Sequence, residues 1–238
     1  MLLLALESAE AACSVALWDS SRPEPAALQG HRRLSAPRSQ ADRLVELVDD
    51  LMQAAQLDYR ALGVIAVDQG PGSFTGLRGA VAAARGLALA ADLPVLGVSS
   101  LESLAAALPE GGAGTLVAAL DARRGQVYCQ VFDHRHEPRT APSVTTPDRL
   151  AAGLAAGPLR LVGSGAALVR AALPEGRPVV MESAELDARW VARRAARRLA
   201  NGAVPQTGSS LRPLYLRPPD ARPHTPQVAP ARAQAVKA

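Results

Sequence analysis

The segment from Asp68 to Gly79 carries the residue types best suited to binding chemistry in this 238-residue chain. It reads Asp-Gln-Gly-Pro-Gly-Ser-Phe-Thr-Gly-Leu-Arg-Gly and lies between a buried-type strand pattern and a helical pattern. Free amide N–H groups at such a junction, near the positive end of a helix, suit an anion. The alternative is a tight turn whose hydroxyl side chains cap the helix. The members of this candidate anion site are Gly70, Gly72, Ser73, Thr75, Gly76 and Arg78.

This turn lacks the standard nucleotide-binding fingerprints. A P-loop requires a lysine, and Lys237, next to last in the chain, is the only lysine beside 25 arginines. The dinucleotide pattern G-x-G-x-x-G fails because Thr75 stands where the third glycine is needed. The lack of lysine also excludes Schiff-base and lysine general-base chemistry.

Two acids, Glu7 and Asp121, each end an apolar run that an alternating strand pattern follows. They are 114 residues apart, and Cys13 and Cys129 repeat nearly the same spacing, which predicts two similar lobes. Opposed carboxylates at a cleft could hold a metal or act as a base. However, the turn 8–11 lacks a glycine to wrap a phosphate and contains an acid that would repel one. We therefore interpret the pair as a vestigial nucleotide cleft, and we expect no catalytic residue, metal or cofactor.

A basic helix is predicted near the C-terminus. Residues 187–238 carry 10 basic and 2 acidic side chains, whereas residues 1–186 carry 16 and 20, so the net charge of +4 belongs to the C-terminal end. Arg189, Arg193 and Arg197 line one face of the predicted helix. A solvated basic face is the simpler interpretation, and an RNA-facing surface is the alternative.

Two histidines, His134 and His136, flank an arginine after a predicted strand. No third metal ligand is evident nearby, so an exposed turn is favoured over a metal site. The chain has no apolar run of 18 residues and no basic leader before its first apolar stretch, which predicts a cytoplasmic protein without a membrane partner.

Strand and helix patterns alternate along the chain, as is typical of an α/β fold. The helix predicted at 75–91 is apolar or small on three sides, so either the preceding helix or another subunit must pack on it. We expect an N-terminal lobe at 1–100, a C-terminal lobe at 101–217 whose last helix packs back on the first, and a disordered Pro/Arg-rich tail at 218–238. Predicted strands cover 2–6, 12–18, 26–34, 63–68, 94–98, 115–121, 126–133 and 159–163. The first predicted helix begins near residue 39, and the later helices are predicted at 75–91, 100–107, 147–156, 164–173 and 187–200.

The turn at 70–78, Gly-Pro-Gly-Ser-Phe-Thr-Gly-Leu-Arg, resembles the signature of the bacterial TsaB (YeaZ) family. The hairpins near 3–17 and 120–128 and the segment Leu-Tyr-Leu-Arg at 214–217 resemble other parts of that family, in the same order. The resemblance implies an actin/Hsp70-like (ASKHA) two-lobed fold with duplicated ribonuclease-H-like lobes. It also implies a role in making N6-threonylcarbamoyladenosine at position 37 of certain tRNAs.

In that family the TsaB subunit is not the transferase. The resemblance implies that it pairs with its paralogue TsaD and that the ATPase TsaE joins the pair. It also implies that tRNA contacts the protein only through this complex. Self-association is expected when TsaD is absent. The family usually has Asp-Thr where this chain has Glu7 and Ser8, which weakens a nucleotide role. An independent nucleotide-binding phosphotransferase or ATPase is the alternative function. The partner surface carried over from the family consists of Leu44, Leu47, Val48, Leu51, Leu77, Val81 and Ala84.

Overall fold

Two five-stranded sheets with the same strand order frame the chain. The computed structural model describes residues 1–35 and 40–217, without the side chains of 40–42, so the predicted tail at 218–238 lies outside the described residues. The first sheet has the order β3-β2-β1-β4-β5 and the second has β10-β9-β6-β7-β8. The strands are β1 (Leu2–Glu7), β2 (Ala12–Asp19), β3 (Leu28–Ser35), β4 (Leu62–Asp68), β5 (Val95–Val98), β6 (Thr115–Asp121), β7 (Val127–Phe132), β8 (Ser143–Thr145), β9 (Leu159–Val162) and β10 (Val179–Met181).

The pairing directions repeat as well. In each sheet the first three strands of the lobe form an antiparallel meander, and the fourth and fifth join in parallel on the other side of the first. This is the ribonuclease-H-like topology in two copies, so the predicted α/β, actin/Hsp70-like fold is confirmed. Glu7 and Asp121 occupy equivalent positions, each as the last residue of the first strand in its lobe.

Six α-helices cover these sheets in the described part of the chain. Short 3-10 turns follow Asp58 and Thr207. The predicted helices agree with the observed ones to within a few residues at their ends, whereas β8 and β10, of three residues each, were not predicted because such short strands show no period. The helices are α1 (Gln40–Ala54), α2 (Phe74–Ala91), α3 (Ser100–Ala106), α4 (Pro147–Gly153), α5 (Ala166–Ala172) and α6 (Ala188–Ala200). None of them is both long and apolar enough to span a lipid bilayer.

Helices lie on both faces of the first sheet. One face packs against α1 and α2, and the other against α6, whose Val191, Ala192 and Ala195 are buried on Leu3 and Val64. The helix that follows the second sheet in sequence therefore belongs to the core of the first lobe. A third cluster, centred on α3, joins the two lobes.

Candidate functional site: the cleft between the lobes and its flanking helices

The glycine-rich turn connects β4 to α2, and its backbone packs against the hairpin formed by β1 and β2. Ser73 caps α2 by accepting a hydrogen bond from the amide of Gly76 at 3.4 Å. A Cβ atom on Gly76 would lie 1.9 Å from the carbonyl oxygen of Ser8, and one on Gly72 would lie 2.5 Å from that of Ala9. Both glycines are therefore required because two backbone segments approach more closely than any side chain allows.

The amides of this turn donate within the chain. The amide of Gly70 donates to Asp68 Oδ1 at 2.8 Å, and that of Ser73 to the Ala9 carbonyl at 2.7 Å. With Gly76 bonded to the cap, three of the amides expected to face an anion are already occupied. The structure thus favours the tight-turn alternative, and Thr75 lies exposed in the first turn of α2 without a capping role.

Arg78 takes part in an exposed aromatic cluster that the sequence did not reveal. Its guanidinium lies 3.7 Å from the ring centre of Phe74, and its Nε donates to the hydroxyl of Tyr215 at 2.9 Å. The two rings lie 5.8 Å apart. The backbone of Leu214 donates to Gln69, which fixes this C-terminal segment beside the turn. Because 137 residues separate Arg78 from Tyr215, no local pattern could have shown the contact.

Glu7 and Asp121 line one cavity of about 860 Å³ between the lobes. Glu7 is buried and accepts hydrogen bonds from the Ala9 amide at 2.6 Å and the Ser14 hydroxyl at 3.2 Å. Asp121 is more exposed and pairs with Arg123. The two predicted acids therefore line the same cavity, with Glu7 deep in its wall and Asp121 at its mouth.

Glu7 in the cleft wall and the buried Asp68 both have pKa values above the usual carboxyl range. Burial, reinforced by the nearby charge of Asp68, raises the pKa of Glu7 to about 8. Burial likewise raises the pKa of Asp68 to about 7. Among the described residues, no group of three or more His, Cys, Asp or Glu side chains could hold a metal ion.

Glu7 should make the stability of the protein fall as pH rises. Between the ordinary pKa of 4.5 and the native value of about 8, the native state keeps a proton that the unfolded state releases. Stability is therefore lost progressively through this window. Glu7→Gln should unfold at a higher temperature than the wild type at pH 8 and should lose less stability between pH 5 and pH 8 in thermal melts. Glu46→Gln, at an exposed position on α1, is the control; equal pH slopes in all three proteins would contradict the assignment.

A hydrogen-bonded bridge spans the mouth of the cleft. The hydroxyl of Ser164, which follows β9, donates to Glu10 Oε1 at 3.0 Å and accepts from the amide of Asp121 at 3.3 Å. Glu10 lies in the turn that would wrap a phosphate in a nucleotide-binding member of this fold. The turn instead places a carboxylate there and ties it to the other lobe.

Most residues of the predicted partner surface are buried inside the protein. Leu44, Val48, Leu51, Val81 and Ala84 are buried in the core that α1 and α2 share with the first sheet, and Leu47 packs at its edge. Leu77 is buried between the lobes. These residues serve the core because the two helices cover each other, which leaves only the outward faces of α1 and α2 exposed.

The three arginines predicted to form a basic face on α6 are paired with carboxylates of the same chain. Arg189 pairs with Asp187 at 2.9 Å, and Arg193 forms a two-pronged pair with Glu24. Arg197 pairs with Glu110 and Glu137. Carboxylates from both lobes therefore balance the basic face of the helix, and most of them lie far from α6 in the sequence.

Two buried polar residues were not identified as important from the sequence. Asp187 caps α6 and also meets His31, Arg33 and Arg189, and these hydrogen bonds and charges hold its pKa below the usual range against the effect of burial. His136, expected in an exposed turn, is only 4% exposed. The neighbouring His134 is exposed, so the two histidines do not act as a pair.

The repeated sheet topology and the glycine-rich turn place the chain in the actin/Hsp70-like class of two-lobed proteins. A family model described as TsaD, tRNA N6-adenosine threonylcarbamoyltransferase, matches residues 34–163. The solved structure of YeaZ from Pseudomonas aeruginosa is 32% identical, with a TM-score of 0.76 over 90% of this chain and 99% of that one. The chain belongs to the TsaB/YeaZ family.

Curated relatives agree with this assignment. The tRNA threonylcarbamoyladenosine biosynthesis protein TsaB of Escherichia coli (strain K12) is 40% identical over 129 residues, covering 54% of this chain and 53% of that protein. An uncharacterised protein of Mycobacterium tuberculosis is 33% identical over 201 residues, covering 82% of each chain. The matched stretch spans about half the length of the TsaB relatives from Escherichia coli and Haemophilus influenzae.

Proposed function

We propose that this protein is a non-catalytic subunit in the cytoplasmic synthesis of N6-threonylcarbamoyladenosine in tRNA, acting as the partner of a TsaD transferase. The observation that carries the proposal is the altered cleft. Burial raises the pKa of its acid Glu7 to about 8, and the hairpin turn that would hold phosphates places Glu10 against Ser164. A protein of this fold with an altered cleft still has surfaces that can bind a partner. We therefore assign it a binding role in the complex rather than a catalytic one.

The outward faces of α1 and α2 are the surface that fits a protein partner. Phe74 and Leu89, near the two ends of α2, are 56% and 87% exposed, and Val45 on α1 is 42% exposed. Aromatic, arginine and aliphatic side chains of this kind carry much of the affinity of protein interfaces. Small residues between them, Ala82 and Gly86, allow a partner helix to approach closely.

The charges on these faces also suit association. The outward residues of α1 include Glu46, Asp49 and Asp50, whereas those of α2 include Arg78 and Arg85. In two copies of this chain, an antiparallel arrangement of the helix pairs would set opposite charges against each other, which supports self-association when TsaD is absent. TsaE and tRNA then join through the assembled complex.

Leu89→Arg should weaken the complex with TsaD from the same organism at least tenfold, because a desolvated unpaired charge at an interface is costly. Titration calorimetry measures the affinity, and thermal melting checks that the exposed position tolerates the change. Leu168→Arg on α5, an exposed leucine in the other lobe, is the matched control and should bind like the wild type. Equal affinity for Leu89→Arg and the wild type would contradict the proposed surface. ATP binding by the isolated chain that is lost in Asp121→Asn would instead favour an independent phosphotransferase.

A further inference from the structure

A second cavity lies at the opposite end of the first sheet from the cleft. It encloses about 760 Å³, and Met1, which precedes β1, forms part of its wall, whereas Glu7 at the end of the same strand lies in the cleft. We call this cavity the α6 groove. Its size falls in the range of small-molecule sites, about 300–1,000 Å³. None of the groups discussed under the proposed function lies in it.

The α6 groove contains a buried polar group that lacks a partner. His136 lines it, and its Nε2 atom finds no hydrogen-bond partner among the described residues. A buried nitrogen without a hydrogen-bond partner is energetically costly, so such atoms usually meet water or a ligand. Its backbone has a φ of 57°, a left-handed conformation that a non-glycine residue seldom adopts.

Two guanidinium groups in the groove are held ready for an oxyanion. Arg193 donates from Nη1 to the carbonyl of Ala106 at 2.8 Å, which fixes its position independently of Glu24. Arg197 is held by Glu137 at 3.0 Å. Their remaining partners in the groove, Glu24 and Glu110, are exposed carboxylates, and exposed ion pairs are weaker than buried ones. A ligand oxyanion has to compete with the two-pronged Glu24 pair on Arg193, whereas it can replace the single contact of Glu110 on Arg197 more readily.

Apolar side chains complete the groove. Trp18 from β2, Leu108 after α3 and Leu199 from α6 contribute large apolar side chains to the lining. Together with the arginines they match a molecule that has a flat apolar body and one anionic group.

We propose that the α6 groove binds a small organic oxyanion of about mononucleotide size. The phosphate or carboxylate of the ligand takes the place of Glu24 and Glu110 on Arg193 and Arg197, its apolar body packs on Trp18 and Leu199, and a polar edge reaches Nε2 of His136. This site is separate from the helix faces proposed to bind TsaD.

Calorimetric titration of the full chain with four probes tests the proposal. AMP and benzoate each combine an oxyanion with a flat body, and we expect one of them to bind at least tenfold more tightly than adenosine or inorganic phosphate. Binding of AMP assigns a phosphate, and binding of benzoate assigns a carboxylate. Absence of measurable binding by both at millimolar concentration overturns the proposal.

Two variants with opposite expected effects locate the site. Arg197→Gln should weaken binding at least tenfold, whereas Glu24→Gln should strengthen it severalfold because it removes the competing carboxylate. Arg149→Gln, an exposed arginine on α4, should leave the affinity unchanged. Unchanged affinity in both groove variants overturns the proposal, and so does loss of binding in Asp121→Asn, which would place the ligand in the cleft. If Arg197→Gln does not fold, the gain in Glu24→Gln still decides the question. Complex formation with TsaD should be the same in all of these variants.

Discussion

Replacing Asp187 by alanine is expected to lower the free energy of unfolding by about 3–5 kcal/mol, since removing one member of a buried ion pair leaves its partners uncompensated. Asp187 is 1% exposed and accepts from the amide and Nε of Arg189, both at 2.9 Å. It also lies 3.0 Å from His31 and 3.3 Å from Arg33, both on β3. The single change therefore uncaps α6 and leaves charges from two elements facing each other.

Glu185 provides the control for this prediction. It pairs with the same Arg33 at 2.7 Å but is 79% exposed, so Glu185→Ala should cost less than about 1 kcal/mol. Urea denaturation at neutral pH measures both variants, and Asp187→Asn, which can still cap the helix, should lie between them. Similar losses for Asp187→Ala and Glu185→Ala would show that burial of the carboxylate does not control the energy.

Gly76→Ala should destabilise the protein by about 3 kcal/mol or more, beyond the usual range for overpacking, because the new methyl group meets backbone rather than a movable side chain. Helix propensity alone predicts the opposite sign, since alanine exceeds glycine by about 1 kcal/mol within a helix. The steric effect dominates because the Cβ atom would lie 1.9 Å from the carbonyl oxygen of Ser8. Relief of the clash requires the turn that carries Glu10 to move away from α2, so the bridge to Ser164 should weaken as well.

Gly86, ten residues further along the same helix, is the matched control. A Cβ atom there meets nothing within 4 Å, so Gly86→Ala should raise stability by about 0.5–1 kcal/mol. Thermal denaturation of the two variants and the wild type measures whether each substitution lowers or raises stability. A stabilised Gly76→Ala protein would mean that the close approach of α2 to the hairpin is absent in solution.

The outcome for α1 and α2 shows where sequence patterns stop being informative. A leucine stripe such as Leu44, Leu47 and Leu51 has the same appearance whether it is buried by a neighbouring helix or by a partner protein, because both environments are apolar. The structure separates the two, since it places the stripe in the shared core and leaves Phe74 and Leu89 outside. The same holds for the α6 arginines, whose partners Glu24 and Glu110 are 169 and 87 residues away.

Local patterns in the sequence were enough to predict the duplicated α/β framework and the two strand ends that line the cavity. Strand and helix periods are local properties, and the repeated run that ends in Glu7 and in Asp121 marks equivalent strand ends without knowledge of contacts. Which side chains are free to bind became visible from the three-dimensional arrangement. Burial of Glu7, the ion pairs of Asp187 and the orphaned nitrogen of His136 depend on groups brought together from distant parts of the chain, and electrostatic and packing energies follow distance in space rather than distance in sequence.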